Sequence, residues 1–135
     1  VVLGISVDSI YSHHAWVRMN RSQGGVSGLT FPLLSDSNKE VSTDYGVLIE
    51  DSGLALRGLF IVNAKGVLKH ITVNHNDIGR SVEETLRVLD AITLTETAGV
   101  VCPANWKKGM RTLEPTQEGL ESYAREAADP GVTPA

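Results

Sequence analysis

The only thiol in these 135 residues is Cys102, set in Val100-Val101-Cys102-Pro103-Ala104-Asn105-Trp106. One cysteine cannot close a disulfide within its own chain. Redox chemistry here needs a second sulfur on another chain, on a further part of this one, or on a small thiol. The competing reading is a small buried hydrophobe, which composition alone favours. Arg57 is the second residue whose setting invites chemistry. It lies within Leu54-Ala55-Leu56-Arg57-Gly58-Leu59-Phe60-Ile61-Val62. Period-two alternation puts it on one face with Leu59 and Ile61, and the strand is expected to be covered on both sides. A guanidinium there keeps its charge and must meet an anion, a carboxylate or a carbonyl. It then serves either an internal ion pair, a side chain snorkelling out at a strand end, or electrostatic stabilisation of an anionic nucleophile or leaving group. The residues alone leave these open.

The histidines carry less. His13 and His14 are adjacent on an expected helix and point apart, and His70 and His75 are distant from them in sequence. No pair has metal-ligand spacing, so no metal and no cofactor is expected, and solvated or hydrogen-bonded side chains are the plainer account. Gly24-Gly25-Val26-Ser27-Gly28 follows a helix and lacks a Lys-Ser/Thr pair, so it is not a phosphate loop.

These groups must be positioned by an α/β arrangement. Val1 to Val7 reads as a buried strand, and Asp8 or Ser9 caps a helix running to about Arg21. Phe31-Pro32-Leu33-Leu34 reads as a short extended segment, with Pro32 at an edge or strand start. Ser37-Asn38-Lys39-Glu40 matches a capping box, predicting a short helix to about Tyr45 that Gly46 ends. Leu54 to Val62 and Val67 to Val73 flank Asn63-Ala64-Lys65-Gly66 as a hairpin. Ser81 and Glu84 form a second capping box before Val82, Leu86, Leu89 and Ile92, which recur at helical spacing up to Gly99. A helix over Gln117 to Ala128 and a frayed end from Asp129 to Ala135 complete the expectation. The order predicts a mixed sheet.

Composition bounds the rest. With 41% hydrophobic and 21% charged residues, the chain has the make-up of one soluble globular domain. A net charge of −4 without a basic run points away from nucleic acid. No apolar stretch is long enough to span a bilayer, so no membrane partner is expected. The abrupt apolar start at Val1 predicts a C-terminal portion of something larger.

Taken in order, several segments resemble the typical two-cysteine peroxiredoxins. They are Val7-Asp8-Ser9 with His14-Ala15-Trp16, Phe31-Pro32-Leu33-Leu34-Ser35-Asp36, Asp44-Tyr45-Gly46-Val47, and Leu56-Arg57-Gly58-Leu59-Phe60-Ile61. His70-Ile71-Thr72-Val73-Asn74, Gly79-Arg80-Ser81-Val82, and Val101-Cys102-Pro103-Ala104 with Trp106 complete the series. The resemblance implies a thioredoxin-like α/β fold, incomplete at its N-terminal side. It divides the chain into residues 1–98 of that domain and residues 99–135, a resolving-cysteine segment with its tail. It further implies Cys102 as resolving cysteine, Arg57 as the arginine that holds a peroxidatic thiolate and polarises the peroxide, and Arg80 as a supporting arginine. Trp16 and Trp106 match aromatic positions near that pocket and that cysteine, or serve as core residues.

The implied activity is reduction of hydrogen peroxide or organic hydroperoxides, with a thioredoxin-type reductant. The implied assembly is a homodimer, with a decameric ring as a further stage, in the cytoplasm or an organelle. The family's proline-threonine-cysteine motif has no counterpart here, so the 135 residues alone are expected to be inactive. A non-catalytic, holdase-like binding module is the alternative. Gly24-Gly25-Val26-Ser27 and Tyr123-Ala124 stand where over-oxidation-sensitive members carry Gly-Gly-Leu-Gly and Tyr-Phe. The expected consequence is a looser tail and less over-oxidation.

Overall fold

In the computed structural model, residues 1–127 are described. Elements run β1 (Gly4–Ser6), α1 (Ile10–Arg18), β2 (Leu33–Ser35), α2 (Glu40–Asp44), β3 (Leu48–Ile49), β4 (Leu54–Ala55), β5 (Arg57–Val62), β6 (Leu68–Asn74), α3 (Val82–Ala98) and α4 (Gln117–Ala127). Residues 128–135, the expected end of the last helix and the frayed terminus, lie outside the described residues. The chain forms two units: Val1–Leu59 with Ile71–Arg80, and Phe60–His70 with the residues from Ser81 onward. Among the described residues no helix is long and apolar enough to cross a membrane.

In the first unit β1 and β2 pair in parallel, Gly4 opposite Leu33 and Ser6 opposite Ser35. Pro32 precedes the ladder, and its carbonyl accepts from the Gly4 amide at 3.0 Å. The strand expected over Val1 to Val7 shortens to three residues, and Ile5 stays 47% exposed rather than covered on both faces. A strand is sandwiched only where a layer packs on each face, and β1 has β2 as its one strand neighbour among the described residues. Among the described residues parallel and antiparallel pairs both occur, but in three two-stranded sheets.

Ser9 caps α1 as expected, its Oγ accepting from the Ser12 amide at 3.2 Å. The helix ends at Arg18, short of Arg21, where the chain turns into a 3-10 segment, Arg21–Gln23. Gly25 is buried there. A Cβ on it would lie 2.0 Å from the Met19 carbonyl oxygen. Only glycine fits so close a backbone approach.

The capping box expected at Ser37 does not form. Lys39 occupies the cap position in the left-handed region, φ 63°, and Asp36 takes over the capping. Its carboxylate accepts from the Val41 amide (2.9 Å), the Ser42 amide (2.8 Å) and the Ser42 hydroxyl (2.6 Å). Asp36 is 2% exposed. Burial pushes its carboxyl upward, but the hydrogen bonds from Ser42, Val41 and Glu40 together outweigh it, and the net shift is downward from 3.8. A depressed carboxyl contributes stability above its unfolded pKa and loses it as pH falls through the folded value. Asp36→Asn, which replaces an acceptor oxygen by a donor, is therefore expected to lower the urea midpoint at neutral pH. The gap to wild type should close below the ordinary 3.8. A gap that persists unchanged in acid would refute this.

The expected strand Leu54 to Val62 breaks at Leu56. Leu54–Ala55 turns aside to pair antiparallel with Leu48–Ile49, a strand the hydrophobic pattern did not disclose. Asn63 organises the β5–β6 turn: its Oδ1 accepts from the Lys65 and Val67 amides at 3.0 and 2.9 Å. In the second unit α3 follows the sequence expectation most closely. Ser81 Oγ accepts from the Glu84 amide at 3.1 Å. Gly99, at φ 66°, ends the helix in the left-handed conformation. The reciprocal half of that capping box is replaced, because the Glu84 carboxylate turns to Arg87. Of the residues that recur at helical spacing, Val82, Leu86 and Leu89 are 71%, 57% and 45% exposed, while Ile92 is half-buried.

Candidate active site

In the first unit, the two arginines singled out by the sequence are held in the same way. Arg57 opens β5, and its Nε donates to the Asn76 carbonyl at 3.0 Å. Arg80 donates from Nε to the carbonyl of Gly58, the residue after Arg57, also at 3.0 Å. Each guanidinium is fixed through Nε on a main-chain oxygen, and both are exposed. Neither forms an ion pair among the described residues. Alternation had predicted a strand covered on both sides; Arg57, as the first residue of β5, is exposed and meets a carbonyl, the strand-end alternative that the sequence left open. An arginine anchored by Nε keeps its two terminal nitrogens for an anion. The structure thus brings Arg57 and Arg80 to neighbouring residues of one strand.

Trp16 donates from Nε1 to the Gly24 carbonyl at 2.8 Å and is 42% exposed, tying α1 to the Gly24-Gly25 loop. His13 is buried, with Nε2 2.6 Å from Ser6 Oγ. Ser6 Oγ in turn donates to Asp8 Oδ2 at 2.7 Å. Because the single Ser6 proton goes to Asp8, His13 donates from Nε2. Its buried Nδ1 has no partner among the described residues. His75 pairs with Asp77 at 3.2 Å on the surface. No group of three His, Cys, Asp or Glu side chains among the described residues is placed to hold a metal ion.

Cys102 belongs to the second unit, as a free, half-buried thiol. Just before it, Val101 and Leu113 exchange two backbone hydrogen bonds, at 2.8 and 3.0 Å. Just after it, the Trp106 amide donates to the Pro103 carbonyl at 3.2 Å, with Asn105 at φ 60°. Trp106 is 2% exposed and donates from Nε1 to the Met110 carbonyl at 3.0 Å. The core reading of this tryptophan holds, and its burial fixes the far side of the cysteine loop. Sequence reasoning missed Arg87, whose guanidinium reaches the Trp106 carbonyl at 2.8 Å. The available signal was Glu84 three residues earlier on the same helix, a spacing at which side chains meet. Hydrogen bonding to Arg87 holds the Glu84 carboxyl below its ordinary value, with burial opposing.

An α/β chain with a free thiol following α3 and two carbonyl-anchored arginines, one opening β5 and one just before α3, has the parts of a thiol-based redox protein. Residues 1–71 match the AhpC/TSA family, and residues 91–125 match the C-terminal domain of 1-Cys peroxiredoxin. The chain belongs to the AhpC/TSA family. Arg57 lies within the first match, Cys102 within the second, and Arg80 between them. Among curated relatives, the thioredoxin peroxidase of Echinococcus granulosus is 52% identical over 90% of this chain and 63% of its own length. The chloroplastic 2-Cys peroxiredoxin BAS1 of Hordeum vulgare is 49% identical over 90% of this chain and 58% of its own. The mitochondrial thioredoxin-dependent peroxide reductase of Homo sapiens is 51% identical over 90% of this chain and 48% of its own. The reduced 2-Cys peroxiredoxin of Plasmodium vivax superposes with a TM-score of 0.88 at 44% identity, over 91% of this chain and 63% of that one. The fold is that of the peroxiredoxins, thioredoxin-like, and the chain spans less than two thirds of the length of these relatives.

Proposed function

We propose that the protein carrying this sequence is a thioredoxin-dependent peroxidase of the two-cysteine type. One observation carries the reading: about half of all positions are shared, over 90% of the chain, with relatives named thioredoxin peroxidase and thioredoxin-dependent peroxide reductase. Cys102 is the only cysteine here, so the peroxide-attacking thiolate comes from a segment that the longer relatives have and these residues do not include. That thiolate attacks the O–O bond of hydrogen peroxide or an organic hydroperoxide. It becomes a sulfenic acid and releases water or an alcohol, the proton coming from solvent. Arg57, supported by Arg80, stabilises the thiolate and the charge developing on the departing oxygen. Cys102 of a second subunit then attacks the sulfenic sulfur. An S–S bond forms, and the hydroxyl leaves as water with the Cys102 proton. A thioredoxin-type dithiol restores both thiols by exchange.

On this reading residues 1–98 supply the arginines and residues 99–135 the resolving thiol and tail, within a homodimer that can build a decameric ring. The 135 residues alone are inactive. The exposed apolar stripe of α3 fits a face covered in the longer protein. Ala124 is exposed and gives Tyr123 no large apolar neighbour in sequence, its ring meeting Arg111 at 5.2 Å instead, and the missing apolar anchor supports low susceptibility to over-oxidation. The cytoplasm is the proposed compartment, and relatives named mitochondrial and chloroplastic extend the choice to organelles. The test is a coupled assay on the full-length protein with thioredoxin, thioredoxin reductase, NADPH and hydrogen peroxide. NADPH oxidation that depends on the protein is expected, and its absence would reject the reading.

A further inference from the structure

Arg87 takes no part in the chemistry above, yet it is among the most fully engaged side chains of the second unit. Nε and Nη2 donate to the two oxygens of Glu84 at 2.7 and 2.8 Å, and Nη1 donates to the Trp106 carbonyl at 2.8 Å. Glu84 is itself fixed at the first turn of α3, where its amide donates to Ser81 Oγ at 3.1 Å. The guanidinium therefore joins the start of a 17-residue helix to the residue that closes the Pro103–Trp106 turn. Cys102 lies between that turn and the Val101–Leu113 bridge. A tie at Trp106 acts on the thiol four residues away because both sides of the loop are fixed, one by two backbone hydrogen bonds, the other by a buried indole.

We propose that Arg87 is a positioning residue for Cys102: the Glu84–Arg87–Trp106 carbonyl clamp holds the cysteine loop on α3 and sets how readily its thiol comes out to react. The consequence for catalysis rests on Cys102 being the resolving thiol. Hydrogen bonding to Glu84 raises the Arg87 pKa, and Cys102 adds a smaller electrostatic contribution in the same direction. A half-buried thiol must leave its loop to reach a sulfenic sulfur on another subunit. A tighter clamp delays that attack and leaves time for a second peroxide to oxidise the sulfenic acid to sulfinic acid, releasing water.

The test is the rate at which iodoacetamide alkylates Cys102 in the reduced full-length protein, followed on the Cys102 peptide by mass spectrometry. Arg87→Gln is expected to raise the rate on the order of tenfold, because a charge-assisted tie is lost. Arg87→Lys should recover part of the wild-type value, since it keeps the cation but not the fork. Glu84→Gln should act in the same direction, and the two substitutions together should fall short of additivity. Glu96→Gln removes the charge that pairs with Lys69 (3.2 Å) near the other end of α3. That change should leave the rate within about twofold. An unchanged rate in folded Arg87→Gln, or an equal rise in Glu96→Gln, would overturn the clamp. Should Arg87→Gln not fold, Arg87→Lys and Glu84→Gln carry the same comparison. Alkylation needs no peroxide, so it fails independently of the peroxidase reading, which the disulfide of the full-length protein decides.

Discussion

Cys102→Ser in the full-length protein is expected to remove the reducible covalent dimer altogether. A serine hydroxyl is too poor a nucleophile at neutral pH to condense with a sulfenic acid, whereas a thiol is several per cent ionised and intrinsically reactive. The first turnover should survive, because peroxide is consumed by the other thiol. Thioredoxin-coupled turnover should collapse to a small residual. Intact mass with and without reductant reads the dimer directly, and rapid-mixing peroxide consumption reads the first step. Persistence of the dimer in Cys102→Ser would remove this cysteine from the cycle. Loss of the first step as well would place Cys102 in the peroxide attack itself.

The second large effect is expected at Arg57. Arg57→Gln should lower the second-order rate of peroxide reduction by about 10²–10³-fold, the usual consequence of removing one preorganised donor from a developing negative charge. Folding should be nearly unaffected, within about 0.5 kcal/mol, because the side chain is exposed and makes a single bond to a main-chain oxygen. Arg57→Lys should recover little, since an ammonium cannot hold the Asn76 carbonyl and still present two parallel donors. The measurement is single-turnover kinetics against peroxide concentration, with thermal melting alongside. A rate within threefold of wild type would leave Arg57 as a surface cation without a catalytic part.

What the sequence made legible follows how local the responsible interaction is. Ser9, Ser81 and Gly99 cap helices through atoms within a few residues, and their motifs could be read directly. The Asn63–Gly66 turn was equally plain. The Ser37 box failed because Asp36, one residue outside the motif, offers a carboxylate that caps the helix instead, through the Val41 and Ser42 amides. The β3–β4 pair escaped because two-residue strands carry no periodicity, and Leu54–Ala55 looked continuous with β5. Cys102 stood out as the only thiol and Arg57 as a charge in an apolar strand, whereas their roles, and Arg80 altogether, came through resemblance. The environment of Arg57 was misjudged because alternation describes the middle of a strand and says little about its first residue. Arg87 went unnoticed because its carbonyl acceptor lies 19 residues away, in a loop whose path no local pattern discloses.

Arg57 and Arg80 both rest on main-chain oxygens, those of Asn76 and Gly58. Every amino acid supplies a carbonyl, so position 76 can change identity and still present the acceptor. Mutational drift there is therefore expected to be silent for Arg57, while a single-residue insertion or deletion between β6 and Arg80 is not. It would displace the Asn76 oxygen and the root of Arg80 together. The constraint on this cationic pair is one of chain length, not composition, and homologous loops should vary freely in letters while keeping their count.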